Sequence, residues 1–310
     1  MNKPIACGTG PLALAGAMPL RAAGFIVTLY GDVVVPRGGE VWIGTVIEAC
    51  AAVGISETLV RTAVSRLVSA GQLEGWRRGR RSFYRLTDAA RAEFEAASRV
   101  IYGPPEGDGA PARWRFVHLP ELGADGRMVQ LERAGYARLR PQLAVGVARG
   151  EAPRGLLCFE AEASGALGLM AGFAAQAWDL EPHAAAYRAF LERFAPVDAA
   201  ALDGAEALAM RLLLVHAWRG ALLRDPRLPA EALPVDWPGH AARGVFVRLY
   251  AALSPAADSQ VAARFEGGKG PLPAVNAVLE ARAALLARGA NSEVGQGVRG
   301  GNERQGRVAP

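Results

Sequence analysis

Histidine, cysteine and lysine are scarce in this chain of 310 residues: there are four histidines, three cysteines, and only Lys3 and Lys269 among the lysines. Cys7, Cys50 and Cys158 are odd in number, far apart and without C-x-x-C spacing, which excludes a disulfide framework and a zinc finger and fits a reducing cytoplasm. His118, His183, His216 and His240 are scattered, with no H-E-x-x-H and no cysteine at ligand spacing, so no metal site is expected. G-x-S-x-G, P-loop and dinucleotide-fold glycine patterns are absent. "GTGPLALAG" near the start has glycines but neither a preceding strand nor a phosphate-binding lysine. No catalytic residue and no cofactor are therefore expected. Long apolar runs are also missing: the uncharged stretch Ser164 to Trp178 is 15 residues, too short to span a bilayer. The first 19 residues imitate a signal peptide, but Gly8, Gly10, Pro11 and Gly16 break the apolar middle, so they are read as a disordered leader.

With 51% hydrophobic residues, the chain has material for two or three compact domains. Its net charge is +5, and the location of that charge is informative. Between residues 56 and 85, Arg61, Arg66, Arg77, Arg78, Arg80, Arg81 and Arg85 face only Glu57 and Glu74, so this stretch carries the whole +5 and the rest of the chain sums to zero. Concentrated positive charge of this kind is the electrostatic footprint of a nucleic-acid contact.

The local pattern agrees with that footprint. "LRAAGFIVTLYGDVVV" has helical spacing at Phe25, Leu29 and Val33, and "EVWIGTVIEACAAVG" continues with a second helix ended by Gly54. Ser56 is an N-cap for "ETLVRTAVSRLVSAG", where Val60, Val64, Leu67 and Val68 form an apolar stripe. Thr58, Arg61, Thr62, Ser65 and Ser69 fall opposite, with Arg66 beside them; short hydroxyls and arginine suit phosphates and base edges. "QLEGW" and "SFYRL" are strand-like and flank "RRGRR", a hairpin with glycine at its tip. Alone, an arginine-rich tip is an ordinary solvated turn. After two helices it completes the order of a winged helix-turn-helix, in which Arg77, Arg78, Arg80 and Arg81 of the wing reach DNA beside the groove-reading helix. Phe83 and Tyr84 are adjacent and face opposite ways, one toward the core and one toward the groove; the pattern does not tell which.

The winged domain is assigned to 20–102, with Thr87 or Asp88 capping its last helix, and "GPPEGDGAPA" at 103–112 is a linker. "RWRFVHL" reads as a strand, "DGRMVQLERAGYARL" as a helix, "QLAVGVA" and "GLLCFEAE" as strands, and Ser164 to Ala177 as a helix. This β-α-β-β-α order makes 113–177 a small ferredoxin-like α+β domain. Residues 178–288 are helical and 289–310 read as a disordered tail. The fold class is thus α+β and multidomain.

The stretches "FIVTLYGDVVVPRGGEVWIG", "GISETLVRTAVSRLVSAG", "GRRSFYRLT", "AWDL" and "HAWRGALLRDPRLPAEALPVDWPG" occur in collinear order over about 20–255 and resemble the PaaX family, repressors of bacterial phenylacetate-degradation genes. The resemblance implies a homodimeric repressor released from its operator by phenylacetyl-coenzyme A. It places groove reading on Arg61, Thr62, Ser65 and Arg66, and the wing role on Arg77, Arg78, Arg80 and Arg81; Thr58 and Tyr84 complete the expected DNA-contact set. The middle domain resembles the nuclease-like proteins of CRISPR adaptation. Where those carry a metal-binding aspartate at the end of the first strand, this chain has His118 and Leu119, so no nuclease activity is expected.

Arg211, His216 and Arg219 partly share a helix face and are candidates for the phosphates of a coenzyme A effector. The competing account makes Trp218 core, His216 a satisfied imidazole, and the arginines partners of carboxylates such as Asp225 or Glu206. Two other functions remain beside repression: an acyl-CoA-handling enzyme, for which no activated nucleophile is visible, and a winged module that serves protein assembly.

Overall fold

Phe25, Ile26, Leu29, Val33 and Val34 are fully buried, and the backbone that carries them is helical despite its β-branched content. In the computed structural model, which describes residues 10–104, 112–120 and 124–287, this segment is helix Ala22–Leu29, a π turn Tyr30–Val34 and a 3-10 turn Val35–Arg37. A short helix α1 (Pro11–Gly16) precedes it, so that Ala22–Leu29 is α2. The part of the leader from Gly10 onward is therefore ordered, contrary to the disordered reading: Pro11 and Ala15 are buried. Residues 1–9 of the leader and the expected tail lie outside the described residues, as does most of the linker.

Strand β1 (Glu40–Trp42) leads into α3 (Ile43–Ala51) and α4 (Glu57–Ser69). Ser56 caps α4 by accepting from the Leu59 amide. Val60, Ala63, Val64 and Leu67, at i, i+3, i+4 and i+7, form its buried face. Val68, expected on that stripe, is 39% exposed; Ala63 takes the inward position instead. β2 (Leu73–Arg78) and β3 (Arg81–Leu86) pair as a hairpin, and β1 adds to β3 in the order β1-β3-β2. Helix α5 (Asp88–Tyr102) follows, its cap Thr87 accepting from the Ala90 amide.

Next come β4 (Arg113–His118), α6 (Ala124–Arg133), β5 (Ala137–Arg140), β6 (Leu143–Val147), β7 (Leu157–Glu162), α7 (Met170–Ala177), α8 (Glu181–Phe194), α9 (Gly204–Leu222) and α10 (Pro238–Arg264). A two-strand hairpin, β8 (Glu266–Gly267) with β9 (Gly270–Pro271), and a helical segment 277–287 end the described chain.

The chain divides into two units. One holds the described residues up to Pro104, Phe190–Arg219, and those from Arg243 onward; the other holds the described residues to Ala189 and Gly220–Ala242. The block 178–288, read from sequence as one helical domain, is thus shared out. The reason is the centre of the first unit. Asp32, fully buried, meets Arg211 Nε at 3.0 Å and Arg282 Nη1 at 3.2 Å, and accepts from the Tyr102 and Tyr250 hydroxyls at 2.9 Å each. Asp258 in turn receives Arg37 and Arg211, both at 2.6 Å. Burial pushes the Asp32 carboxyl up, but Arg211, Arg282 and the two hydroxyls outweigh it and hold it below its ordinary range. Trp218, as the structural account anticipates, is core: it stacks on Phe246 at 5.0 Å and donates to the Ile101 carbonyl.

The second unit is built on a four-stranded sheet, β5-β6-β4-β7, with every neighbouring pair antiparallel. Val117, Leu119, Met128, Leu131, Tyr136 and Ala144 pack as its core. The sequence expectation of one helix through Leu139 is corrected here. Helix α6 stops at Arg133, Gly135 turns with φ +90°, and Ala137–Arg140 becomes a strand. The amides of Gly135 and Tyr136 bond back to the carbonyls of Glu132 and Leu131, a glycine-closed helix end.

Candidate nucleic-acid interface

Helix α4 ends where the hairpin begins. The amides of Gly71 and Gln72 bond back to the carbonyls of Val68 and Leu67, while the Thr87 side chain donates to the Gly71 carbonyl at 2.7 Å and the Thr87 amide bonds to Gln72 O. Both ends of the hairpin are therefore fastened to the end of α4, which fixes helix and hairpin as one surface.

The expected contact residues on α4, Thr58, Arg61, Thr62, Ser65 and Arg66, are all exposed. Arg61 is engaged with Glu57 one turn back, at 2.7 Å, and the Thr62 hydroxyl donates to Thr58 O at 2.8 Å. An exposed i,i+4 pair of this kind is worth only about 0.3 to 0.5 kcal/mol, so it orients Arg61 without withholding it. Leu59 and Val68 are exposed as well, giving the outer surface of α4 two apolar groups that its polar reading did not include.

In the hairpin, Arg78 and Arg81 are paired, leaving Gly79 and Arg80 as a two-residue turn. Gly79 has φ +60° and Arg80 does not share that region, the pattern of a type II′ turn, which needs glycine at its first position. Arg77, Arg78, Arg80 and Arg81 are all exposed, but they divide into two kinds. Arg77 and Arg80 make no ion pair or side-chain hydrogen bond among the described residues. Arg78 donates to the Gly268 carbonyl, and Arg81 to the Glu266 carboxylate, on the β8–β9 hairpin. Sequence reading did not connect residues so far apart. Phe83 is the core member of the aromatic pair, 2% exposed and stacked against Trp76. Tyr84 is half-buried on the other face, its ring lying so close over Gly75 that a Cβ there would come within 2.6 Å.

Arg211 lies in the core of the first unit: it is 1% exposed and ion-paired with Asp32 and Asp258, which hold its guanidinium charged against the cost of burial. His216 and Arg219 are elsewhere and together: His216 Nδ1 lies 2.9 Å from Thr28 Oγ1, and Arg219 donates to that oxygen and to Gly24 O at 3.1 Å each. Burial first, then the neighbouring Arg219, pushes His216 down to about 4. Arg219 borders a cavity of about 210 Å³ with Thr28, Phe94, Ala97 and Tyr102, which is smaller than the roughly 300 to 1,000 Å³ typical of ligand pockets. Cys50 is buried, and burial pushes its thiol up to about 12, the behaviour of an inert core thiol. Among the described residues no helix is long and apolar enough to cross a membrane, and no group of three or more His, Cys, Asp and Glu side chains is placed to hold a metal ion.

Comparison with known proteins places these features in a lineage. Residues 21–90 match the family model described as PaaX-like protein, and residues 178–263 match its companion, PaaX-like protein C-terminal domain. The transcriptional repressor PaaX of Escherichia coli K12 is 33% identical over 284 residues, covering 83% of this chain and 88% of that one. Among solved structures, an uncharacterized protein from Mycobacterium tuberculosis matches with a TM-score of 0.52 at 22% identity, over 77% of this chain and 98% of that one, a likeness of fold alone.

Proposed function

The chain belongs to the PaaX family, and we propose on that footing that it is a DNA-binding transcriptional repressor of genes for aromatic-acid catabolism, phenylacetate first among them. The observation that carries this reading is the fixed surface made by α4 and the hairpin. An outward face of Thr58, Arg61, Thr62, Ser65 and Arg66 adjoins exposed Arg77 and Arg80, and Thr87 fastens helix to hairpin. That arrangement supports a winged helix-turn-helix in which α4 enters the major groove and the Gly79 turn follows the phosphate backbone. The exposed methyls of Val68 and Leu59 suit thymine contacts there.

In the second unit, the order β5-β6-β4-β7 with all neighbours antiparallel supports a ferredoxin-like reading. It departs from the full motif between β6 and β7, where residues 148–156 form a loop instead of a helix. In this proposal the protein works in the cytoplasm as a homodimer, which sets two α4 helices into successive major grooves of a near-palindromic operator. An aryl-coenzyme A thioester such as phenylacetyl-coenzyme A shifts the population toward a form that no longer fits DNA. Of the expected effector residues, His216 and Arg219 remain in the proposal: Arg219 lines the cavity beside α2 and α5, and His216 is bonded to Thr28, which lines it too.

Fluorescence anisotropy with labelled DNA from upstream of the chain's own gene and of phenylacetate genes tests it. Phenylacetyl-coenzyme A, benzoyl-coenzyme A and free phenylacetate serve as competitors. Tight, salt-sensitive binding to one segment and its release by one thioester is the expected result. Equal, weak binding to every segment overturns the repressor reading and favours the assembly module.

A further inference from the structure

A second hairpin stands against the arginine hairpin, and its tip carries a lysine. Gly267 and Gly270 are paired across β8 and β9, so Gly268 and Lys269 form a two-residue turn. Lys269 is exposed and makes no ion pair or side-chain hydrogen bond among the described residues. In a chain whose positive charge is almost all arginine, it is one of only two lysines.

The β8–β9 hairpin is held in place from its base and from its tip. Phe265 and Leu272, which flank it, are buried, and the Leu272 amide bonds to the Phe265 carbonyl at 2.9 Å. The chain that leaves it is fastened by buried Arg37, which donates to the carbonyls of Pro273 at 2.8 Å and Ala274 at 3.2 Å, and by Asn276, which donates to the Pro36 carbonyl at 2.8 Å. At the tip, Arg78 donates to the carbonyl of Gly268, the residue before Lys269, and Arg81 pairs with Glu266. The Glu40 side chain on β1 closes over Gly268, where a Cβ would collide with its carboxylate, and a Cβ on Gly267 would lie 3.1 Å from the Glu40 carbonyl. Gly270, at φ +121°, completes a turn that a side chain would strain. Glycine on both sides of Lys269 thus allows the close approach to β1 and leaves the ammonium unshielded by neighbouring side chains.

Two carboxylates, Glu266 and Glu40, lie at this junction, and both are turned to protein: Glu266 is engaged by Arg81, and Glu40 is half-buried against Gly268. Lys269 therefore adds its charge to that of exposed Arg77 and Arg80. We propose that β8–β9 is a second wing, in which Lys269 contacts the phosphate backbone of duplex DNA beside the Gly79 turn. Arg78 precedes Gly79 and is bonded to the residue before Lys269, so a strand that follows the Gly79 turn comes within the span of the lysine side chain. An ammonium on a flexible stem is a point charge suited to a phosphate; it sets affinity and register without reading a base. The inference rests on the repressor reading and deepens it, adding to the DNA surface a cation almost two hundred positions along the chain from the first wing.

Lysine footprinting on the full chain tests it directly, because only Lys3 and Lys269 carry a side-chain amine. Labelled duplex from upstream of the chain's own gene is added, and reaction with an amine-directed reagent is read by peptide mass spectrometry. Bound duplex is expected to slow labelling of Lys269 several-fold. In anisotropy titrations over a range of salt concentrations, Lys269→Gln is expected to weaken binding about threefold to tenfold and to flatten the log–log salt slope by about 0.9, equally on that duplex and on an unrelated one. Lys269→Arg should restore the slope, and neither change should move the melting temperature, since the side chain is exposed and unpaired. Equal, weak binding of the unmodified chain to every duplex overturns the repressor reading and this inference with it. With tight binding by the unmodified chain, this inference alone is overturned if Lys269 labels as fast on DNA as off it, if Lys269→Gln keeps the slope, or if Lys269→Arg fails to restore it.

Discussion

The Arg81 guanidinium donates to the Glu266 carboxylate, 185 residues further along the chain, while it lies 4.6 Å from the centre of the Trp42 ring. Arg78 beside it reaches the Gly268 carbonyl on the same β8–β9 hairpin. Half of the hairpin's tip arginines are thus committed to protein, and half face outward.

Replacing Glu266 with Gln removes the competing carboxylate and keeps the side chain's size. Exposed ion pairs are worth about 0 to 1 kcal/mol, so duplex DNA should bind up to about fivefold more tightly. The log–log salt slope should steepen by about 0.9, one more phosphate neutralised. Anisotropy titrations at several salt concentrations measure both.

Arg77→Ala/Arg80→Ala should do the reverse on all sequences alike, flattening the slope by about 1.8 with little change in base preference. Arg61→Ala or Ser65→Ala should instead alter preference at particular positions, by about 1 to 3 kcal/mol per lost contact, read from binding to a library of single-base operator variants.

Asp32→Asn strips the charge that faces Arg211 and Arg282 in the core of the first unit. Arg211 keeps Asp258, but Arg282 is left buried without a carboxylate, which should lower the unfolding free energy by about 3 to 5 kcal/mol, measured by urea denaturation. Adding Arg282→Met should return part of that loss, because the second change removes the stranded charge.

His216 is neutral in the fold at neutral pH and charged in the unfolded chain below its ordinary value. Its contribution to stability is fully present above pH 6.5 and is lost as pH falls from there toward about 4. The slope is at most about 1.4 kcal/mol per pH unit. His216→Gln should flatten this segment of a melting-temperature profile while leaving the alkaline side unchanged.

The local structure of α4 and the arginine hairpin was legible because its signals are local. Ser56 as cap, the 3.6-residue stripe of α4 and a glycine between arginine pairs all act within a few residues. Val68 misled because it sits at the margin of the stripe, where packing of Ala63 decides which side turns inward. Strand β5 was hidden because Tyr136 to Leu139 continue the helical spacing of α6, and only the left-handed Gly135 separates them. Arg211 looked like a phosphate ligand because its partners, Asp32 and Asp258, are far away in sequence and nothing local announces them.

The bond from Arg282 to the Asp32 carbonyl spans 250 positions, which turns a packing feature into a matter of time. At synthesis rates of about 5 to 20 residues per second, Asp32 leaves the ribosome roughly 12 to 50 s before the arginine that completes its surroundings. Through that interval the arginine hairpin is present, with its helices, on a scaffold whose centre is unfinished. A chain cut short by a premature stop would therefore carry the basic surface but not the core that holds it in shape, and should be cleared by proteolysis instead of lingering as a partial competitor at DNA.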